Sequence, residues 1–298
     1  MDGAPTGQRA GTLAIDLGSS TTVVAWQGSQ GPERLLPLPP YSLDDPCVVP
    51  SLLWLSSPGQ ERPLIGRQVL EAGLAERPGP GLLRDFKRRI GAPRCEPLAV
   101  GLEPDPASGS HADGQSQAPS PWRSPEQAGA LLLQHLWRAL PADINPERLI
   151  LTAPIDTYRA YRDWLLEASR ELPVPEVALV DEPTAAAIGA GLPAGSRVLV
   201  VDLGGGTLDL SLVALEGGEG RAAPIAQLLR FAGRDLGRSG QALRCARVIG
   251  KAGLPVGGRD IDRWILADLL PELPASGEPL RLAEQLKCCL SSAEEAVR

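Results

Sequence analysis

Asp16 and Asp202 stand in the same local sequence. Each closes an apolar run and opens a turn built from Gly, Ser and Thr: TLAIDLGSSTTVVAWQ over 12–27 and RVLVVDLGGGTLDLSLVAL over 197–215. Glycine lets backbone N–H groups approach an anion closely, because no Cβ stands in the way. The hydroxyls of Ser19, Ser20, Thr21 and Thr207 add donors. A carboxylate repels phosphate, but it holds a divalent cation or that cation's waters, and the cation bridges phosphate oxygens. The chemistry expected of the pair is capture of a metal-bound polyphosphate gripped from two sides. Neither copy carries a Walker lysine or a GxGxxG entering a helix. The competing reading is two ordinary β-hairpins whose glycines serve only turn geometry. Two copies 186 positions apart (202 − 16) weigh against it.

Val, Ile and Leu on both sides of each turn favour strands, so each Asp sits at the end of one arm of a hairpin. Other elements must place the two arms. Short apolar runs within 35–66, such as VVPSLLWL, read as strands, and 67–91 reads as helical, ending in Phe86-Lys87-Arg88-Arg89. Residues 96–125 are rich in Pro, Ser and Gly and read as a surface loop. Ser124 is the expected N-cap of a helix entered through Pro125, with Leu132, Leu133, Leu136 and Leu140 on its apolar face. A strand at 149–154, an amphipathic helix from Tyr158 to Leu172, a strand at 177–182 and a small-residue helix start at 184–191 lead to the second hairpin. Residues 216–258 read as irregular, and 259–270 and 279–297 as helices. Alternating strands and helices make the fold α/β.

A length of 298 residues fits about two core-sized units. Apolar residues, at 43%, suffice for a packed interior, and with aromatics at 4% that interior must be mainly Leu, Val, Ala and Ile. A net charge of −7 argues against nucleic acid as a partner. No apolar run reaches membrane-spanning length, and MDGAPTGQRAGT lacks the apolar core of a signal peptide, so the expectation is a cytoplasmic chain with no membrane partner. Five cysteines without metal spacing (Cys47, Cys95, Cys245, Cys288, Cys289) fit reduced thiols. The two histidines, His111 and His135, lie far from both motifs, which disfavours a histidine metal site or a Ser-His triad.

The run VDEPTAAAIGAGL followed by VLVVDLGGGTLDLSLVAL resembles the central block of the actin-like ATPase superfamily, and most of all the DnaK-type heat-shock chaperones. Further segments match in the same order. These are Leu64-Ile65-Gly66, Phe86-Lys87-Arg88-Arg89-Ile90-Gly91, Leu151-Thr152-Ala153-Pro154, Gly257-Gly258-Arg259-Asp260-Ile261-Asp262 and the terminal LRLAEQLKCCLSS. The resemblance runs from about residue 12 to 298, broken at 96–125 and 216–250. It implies an actin-like ATPase (ribonuclease H-like) fold in two lobes, the second incomplete. Lobe I would cover 1–193, with its core at 10–36 and 126–193 and a small upper subdomain at 37–125. A partial lobe II would cover 194–298, with the phosphate hairpin at 196–216 and an upper helical part at 233–298.

The resemblance also implies ATP or ADP with Mg²⁺ as the bound group. Asp16 and Asp202 would order waters around the metal, and Glu182 would join that network. Gly18, Ser19, Ser20 and Thr21, with Gly204, Gly205, Gly206 and Thr207, would wrap the phosphates, and Asp209 would position the attacking water. Gly258, Glu284, Lys287 and Ser291 match adenosine-contacting positions, and Pro154 with Arg162 matches a pair that relays the nucleotide state to the surface. Cochaperones and client proteins are the implied partners. Competing local readings are a helix-start carboxylate for Glu182, a solvated Arg162 and a plain charged face for the last helix.

Two departures temper the match. The family's lysine, four residues after the LIG glycine, is Leu70 here; Arg67 and Lys87 are the remaining candidates for an amine near the terminal phosphate. The sequence also stops before the family's second adenosine loop. Three readings follow: a chaperone-type ATPase segment with weak or absent hydrolysis, an actin-like filament protein of the bacterial shape-determining type, and a catalytically dead nucleotide-binding scaffold.

Overall fold

The computed structural model describes residues 9–29, 31–77, 79–91, 122–154, 158–193, 195–205, 207–215, 227–231, 234–235, 246–254, 256–275 and 277–292. The first sheet opens with β1 (Arg9–Leu17) and β2 (Thr21–Gly28), an antiparallel hairpin in which Asp16 lies opposite Val23. Two short strands, β3 (Arg34–Leu35) and β4 (Val49–Pro50), both pair with β2. A small separate sheet follows: β5 (Leu53–Trp54), β6 (Leu64–Ile65), the short helix α1 (Arg67–Glu71) and β7 (Leu82–Leu83).

The helical reading of 67–91 is corrected. Among the described residues of this stretch, only α1 and a 3₁₀ turn at Phe86–Arg89 are helical. Gly73 turns the chain with φ of 62°, a left-handed conformation that ends a helix, and β7 intervenes.

The next segment alternates as expected: α2 (Pro125–Arg138), β8 (Ile144–Ala153), α3 (Tyr158–Ala168), β9 (Glu176–Asp181) and α4 (Glu182–Gly189). Ser124 caps α2 through a capping box with Gln127. Leu132, Leu133 and Leu136 are buried, and Leu140 is half-buried. β1, β8 and β9 run parallel to one another, so their carboxyl ends meet along one edge of the sheet. Crevices at such strand ends are where open α/β sheets bind ligands. One core cluster lies under this sheet, joining Leu13, Ile15 and Leu149 of the strands to Leu132 of α2 and Tyr161 of α3.

The second sheet holds β10 (Arg197–Leu203) and β11 (Leu208–Leu215), the second hairpin. In chain order β12 (Gln227–Phe231), β13 (Arg234–Asp235) and β14 (Ala246–Leu254) follow, then α5 (Gly258–Leu269) and α6 (Gly277–Ser292). The irregular reading of 216–258 is therefore corrected for its described residues. β14 pairs antiparallel with β11 and completes the second sheet. β12 instead adds antiparallel to β9 at the edge of the first sheet, with β13 outside it. The chain thus leaves the second sheet, extends the first, and returns. Small residues in ARVIGKAGL hide the strand pattern; backbone pairing supplies what the side chains do not. One face of β10 stays open, with Leu199, Val201 and Leu203 exposed.

Candidate functional site

The two hairpins converge on one cavity of about 580 Å³, lined from both sheets. The first contributes Asp16, Gly18, Ser19, Ser20 and Thr21; the second contributes Asp202, Gly204, Gly205, Thr207 and Asp209. Glu182 completes the expected inner set. The turns touch: a Cβ placed on Gly205 would stand 2.2 Å from the Ser20 hydroxyl oxygen. Gly206 lies outside the described residues.

Strand geometry explains the acidic cluster. Asp16 closes β1, Thr152 stands near the end of β8, and Glu182 directly follows β9 at the start of α4. The Thr152 hydroxyl donates to Asp16 Oδ1 at 2.6 Å and orients that carboxylate. Asp181 caps α4 by accepting from the Thr184 amide at 2.9 Å, which fixes where Glu182 emerges. On the other side Asp202 and Asp209 are directly opposed across the second hairpin.

Lys87 enters from the 3₁₀ turn and donates to Glu182 Oε1 at 2.7 Å, with only 11% of its side chain exposed. Burial raises the Glu182 carboxyl above its ordinary range. Lys87 opposes the shift, and Asp16 and Asp202 add to it. Asp202 is raised as well, by burial and then by Asp209, with Lys87 again opposing. Burial is the larger cause in both, and the neighbouring carboxylates add to it, so the cavity gathers acidic oxygens whose charge a divalent cation would offset.

Among the described residues no group of three or more His, Cys, Asp or Glu side chains is placed to hold a metal ion. The oxygen donors that do line the cavity, Asp16, Glu182 and Asp202, are of the chemistry that suits a hard cation such as Mg²⁺ held through its waters. Asp16, Asp202 and Glu182 are the residues that would hold those waters.

The first turn is braced from outside. Ser51 donates to the Gly18 carbonyl at 2.8 Å and shares a 2.9 Å hydrogen bond with the Thr22 hydroxyl, both side chains being buried. The second turn is braced by α5, whose first amides, at Gly258 and Arg259, donate to the carbonyls of Gly204 and Gly205 at 2.9 and 3.0 Å.

The family model of the MreB/Mbl protein matches residues 127–235. The mitochondrial-type heat shock protein 70 of Encephalitozoon cuniculi is 33% identical over 135 residues, 44% of this chain and 23% of that protein. The chaperone protein DnaK of Thermotoga petrophila is 27% identical over 221 residues, 72% of this chain and 32% of its own length. The cell shape-determining protein MreB of Escherichia coli is 34% identical over 91 residues, 29% of this chain and 26% of that protein. These matches support the Hsp70-type actin-like ATPase family for this chain. The matched regions span between about a quarter and a third of those relatives' lengths.

Of the other residues singled out in the sequence, most lie off the cavity. Gly258, Glu284, Lys287 and Ser291 do not line the cavity. Lys287 Nζ is engaged by Asp262 at 2.6 Å and by the Gly258 carbonyl at 2.9 Å, so it ties α6 to α5. Glu284 and Ser291 are exposed on α6. Pro154 lines the cavity, whereas Arg162 pairs with its neighbour Asp163 at 2.8 Å. Leu70 is exposed and off the cavity, and Arg67 is held by Asp44 and Glu71. No helix among the described residues is long and apolar enough to cross a membrane.

Sequence reasoning passed over Thr152 and Lys251 as lining residues. A threonine ending a strand beside β1 was a usable signal for the first. Lys251 stands on β14, the strand whose pattern was too weak to see.

Proposed function

We propose that this chain is an ATP-binding, DnaK-like chaperone ATPase segment acting in the cytoplasm, with weak or absent hydrolysis. The observation that carries the reading is the meeting of both acidic-tipped turns at one cavity, with Asp16 and Asp202 in its lining. The amides and hydroxyls offered by Gly18, Ser19, Ser20 and Thr21 on one side and by Gly205 and Thr207 on the other bind the phosphate oxygens, the Gly204 amide being held by the Thr207 carbonyl, and Glu182 and Asp209 face the same space. When bound, Mg²⁺ neutralises charge on the phosphates.

Asp209 orients a water towards the terminal phosphorus. The water oxygen bonds to that phosphorus while its bond to the bridging oxygen breaks, the electron pair leaving on ADP. One water proton stays on the phosphate and the other passes to solvent. Hydrolysis in this reading changes the relation between the two lobes rather than making a useful product.

Titration calorimetry with ATP and Mg²⁺, on the wild type and on Asp202→Asn, tests the proposal. Binding by the wild type and loss of at least tenfold in affinity by the variant are expected. A folded wild type that gives no heat leaves in its place a scaffold that has lost nucleotide binding, whereas binding without turnover selects the catalytically dead scaffold. The MreB/Mbl match over 127–235 favours a second reading, an actin-like filament protein. Concentration-dependent pelleting on addition of ATP would select it.

A further inference from the structure

We propose that the site reads the metal-bound triphosphate itself and takes it with any nucleoside, or with none. The inference rests on the Mg-ATP reading above and deepens it by naming the class of ligand: metal-bound triphosphates, of which ATP is one member.

The cavity wall sorts by chemistry. The two turns offer it amides and hydroxyls, and Asp16, Glu182 and Asp202 offer it carboxylates. Those groups suit phosphate oxygens and a hydrated metal. A base is read differently, by a stacked ring or guanidinium plane and by hydrogen bonds to its edge. Among the described residues that line the cavity there is no Phe, Tyr, Trp, His, Arg, Asn or Gln. Beyond the turns the wall is mainly aliphatic, with Ala185 and Ala186 of α4 and Val200 and Leu210 of the second sheet. Such a wall makes the same contact with any base.

The four residues that match adenosine-contacting positions are engaged elsewhere. The Lys287 ammonium is held by the Asp262 carboxylate, itself 3% exposed, and donates to the Gly258 carbonyl at 2.9 Å. The Gly258 amide donates to the Gly204 carbonyl at 2.9 Å. The Ser291 hydroxyl donates back to the Lys287 carbonyl at 2.9 Å, on its own helix. Glu284 lies in the field of Arg84 and Arg259, two largely buried guanidiniums whose charge it helps to hold. These contacts join α6 to α5 and α5 to the second turn. The groups expected to read the nucleoside therefore serve to fix the loop that holds phosphate.

The test is titration calorimetry in excess Mg²⁺ with ATP, GTP and inorganic tripolyphosphate, followed by titration of tripolyphosphate into the ATP-loaded protein. One base-stacking contact multiplies affinity by about fivefold or more. Wild type should therefore favour ATP over GTP, and over tripolyphosphate, by less than about fivefold. Tripolyphosphate should displace ATP. Thr207→Val, which removes a hydroxyl from the second turn, should weaken all three ligands by the same factor to within about twofold, with circular dichroism to confirm folding. Glu284→Ala should leave the ratio of ATP to tripolyphosphate affinity unchanged.

A larger preference for ATP over GTP would show that the base edge is read, and would overturn the inference. A larger preference for both nucleotides over tripolyphosphate would do the same, by placing the nucleoside in contact with the protein. So would tripolyphosphate that binds without displacing ATP, or a Glu284→Ala protein that loses ATP affinity alone. A wild type that binds none of the three fells the Mg-ATP reading itself and this inference with it, a result distinct from the others.

Discussion

The two turns that look alike in the sequence should respond oppositely to the same substitution. A Cβ built on Gly18 lies 2.2 Å from the Thr21 carbonyl oxygen, a backbone atom that cannot rotate away. The equivalent atom on Gly204 meets nothing nearer than 3.7 Å, ordinary contact. Gly18→Ala must therefore move one side of the turn by more than ~1 Å, and overpacking of that kind costs about 1–3 kcal/mol. The turn has little room to yield, since its carbonyl is fixed by Ser51, itself fixed to Thr22. Gly204→Ala suffers no such contact and removes freedom from the unfolded chain, which is worth up to about 1 kcal/mol in its favour. The two variants should differ by about 1–4 kcal/mol, or roughly 2–8 °C in melting temperature for a chain of this size. Thermal melts of the ligand-free proteins, read by circular dichroism, measure this directly. Melting points within about 1 °C of each other, or a larger loss for Gly204→Ala, would refute the reasoning.

The α4 cap and the buried carboxylate give two further expectations. Asp181→Ala removes the acceptor of the Thr184 amide and should cost about 1 kcal/mol in denaturant unfolding, with Asp181→Asn retaining most of it; equal loss in both variants would exclude capping as the cause. Glu182 is held above its ordinary value of 4.5, first by burial, so folding favours its protonated form. That contribution is complete below the ordinary value and is lost as pH rises through the raised one. Ligand-free wild type should lose melting temperature relative to Glu182→Gln as pH rises above the ordinary value of 4.5, and the opposite slope would contradict the assignment.

The legible parts of this chain are those where side-chain pattern and backbone geometry coincide. Both hairpins, the Ser124 cap and the leucine face of α2 are written in local sequence, and the structure has them. The glycines and hydroxyls of the turns marked the cavity for the same reason. Illegible parts depend on distant pairing. β12 extends the first sheet from within a segment between two strands of the second, and no local signal announces that partner. The 67–91 stretch looked helical because its polar and apolar residues alternate at suitable spacing, while the positive φ at Gly73 ends the helix. The placement of Lys87 is a tertiary fact: Phe86 and Ile90 are core anchors, and only the packed core aims the residue between them.

Charge balance in the cavity bears on what the ligand must bring with it. Four carboxylates face two ammonium groups, of which Lys87 is paired with Glu182. Adding an unaccompanied polyphosphate would place several more negative charges beside Asp16 and Asp202, at distances where like charges cost free energy even in partly solvated surroundings. The amides and hydroxyls of the turns solvate phosphate but carry no net charge to offset this. A divalent ion changes the sign of the problem, because the same carboxylates that repel bare phosphate then attract its metal complex. On the Mg-ATP proposal, Asp16 and Asp202 would thus select the metal-bound form, while burial first, and the neighbouring carboxylates after it, hold Glu182 and Asp202 above the ordinary carboxylate range.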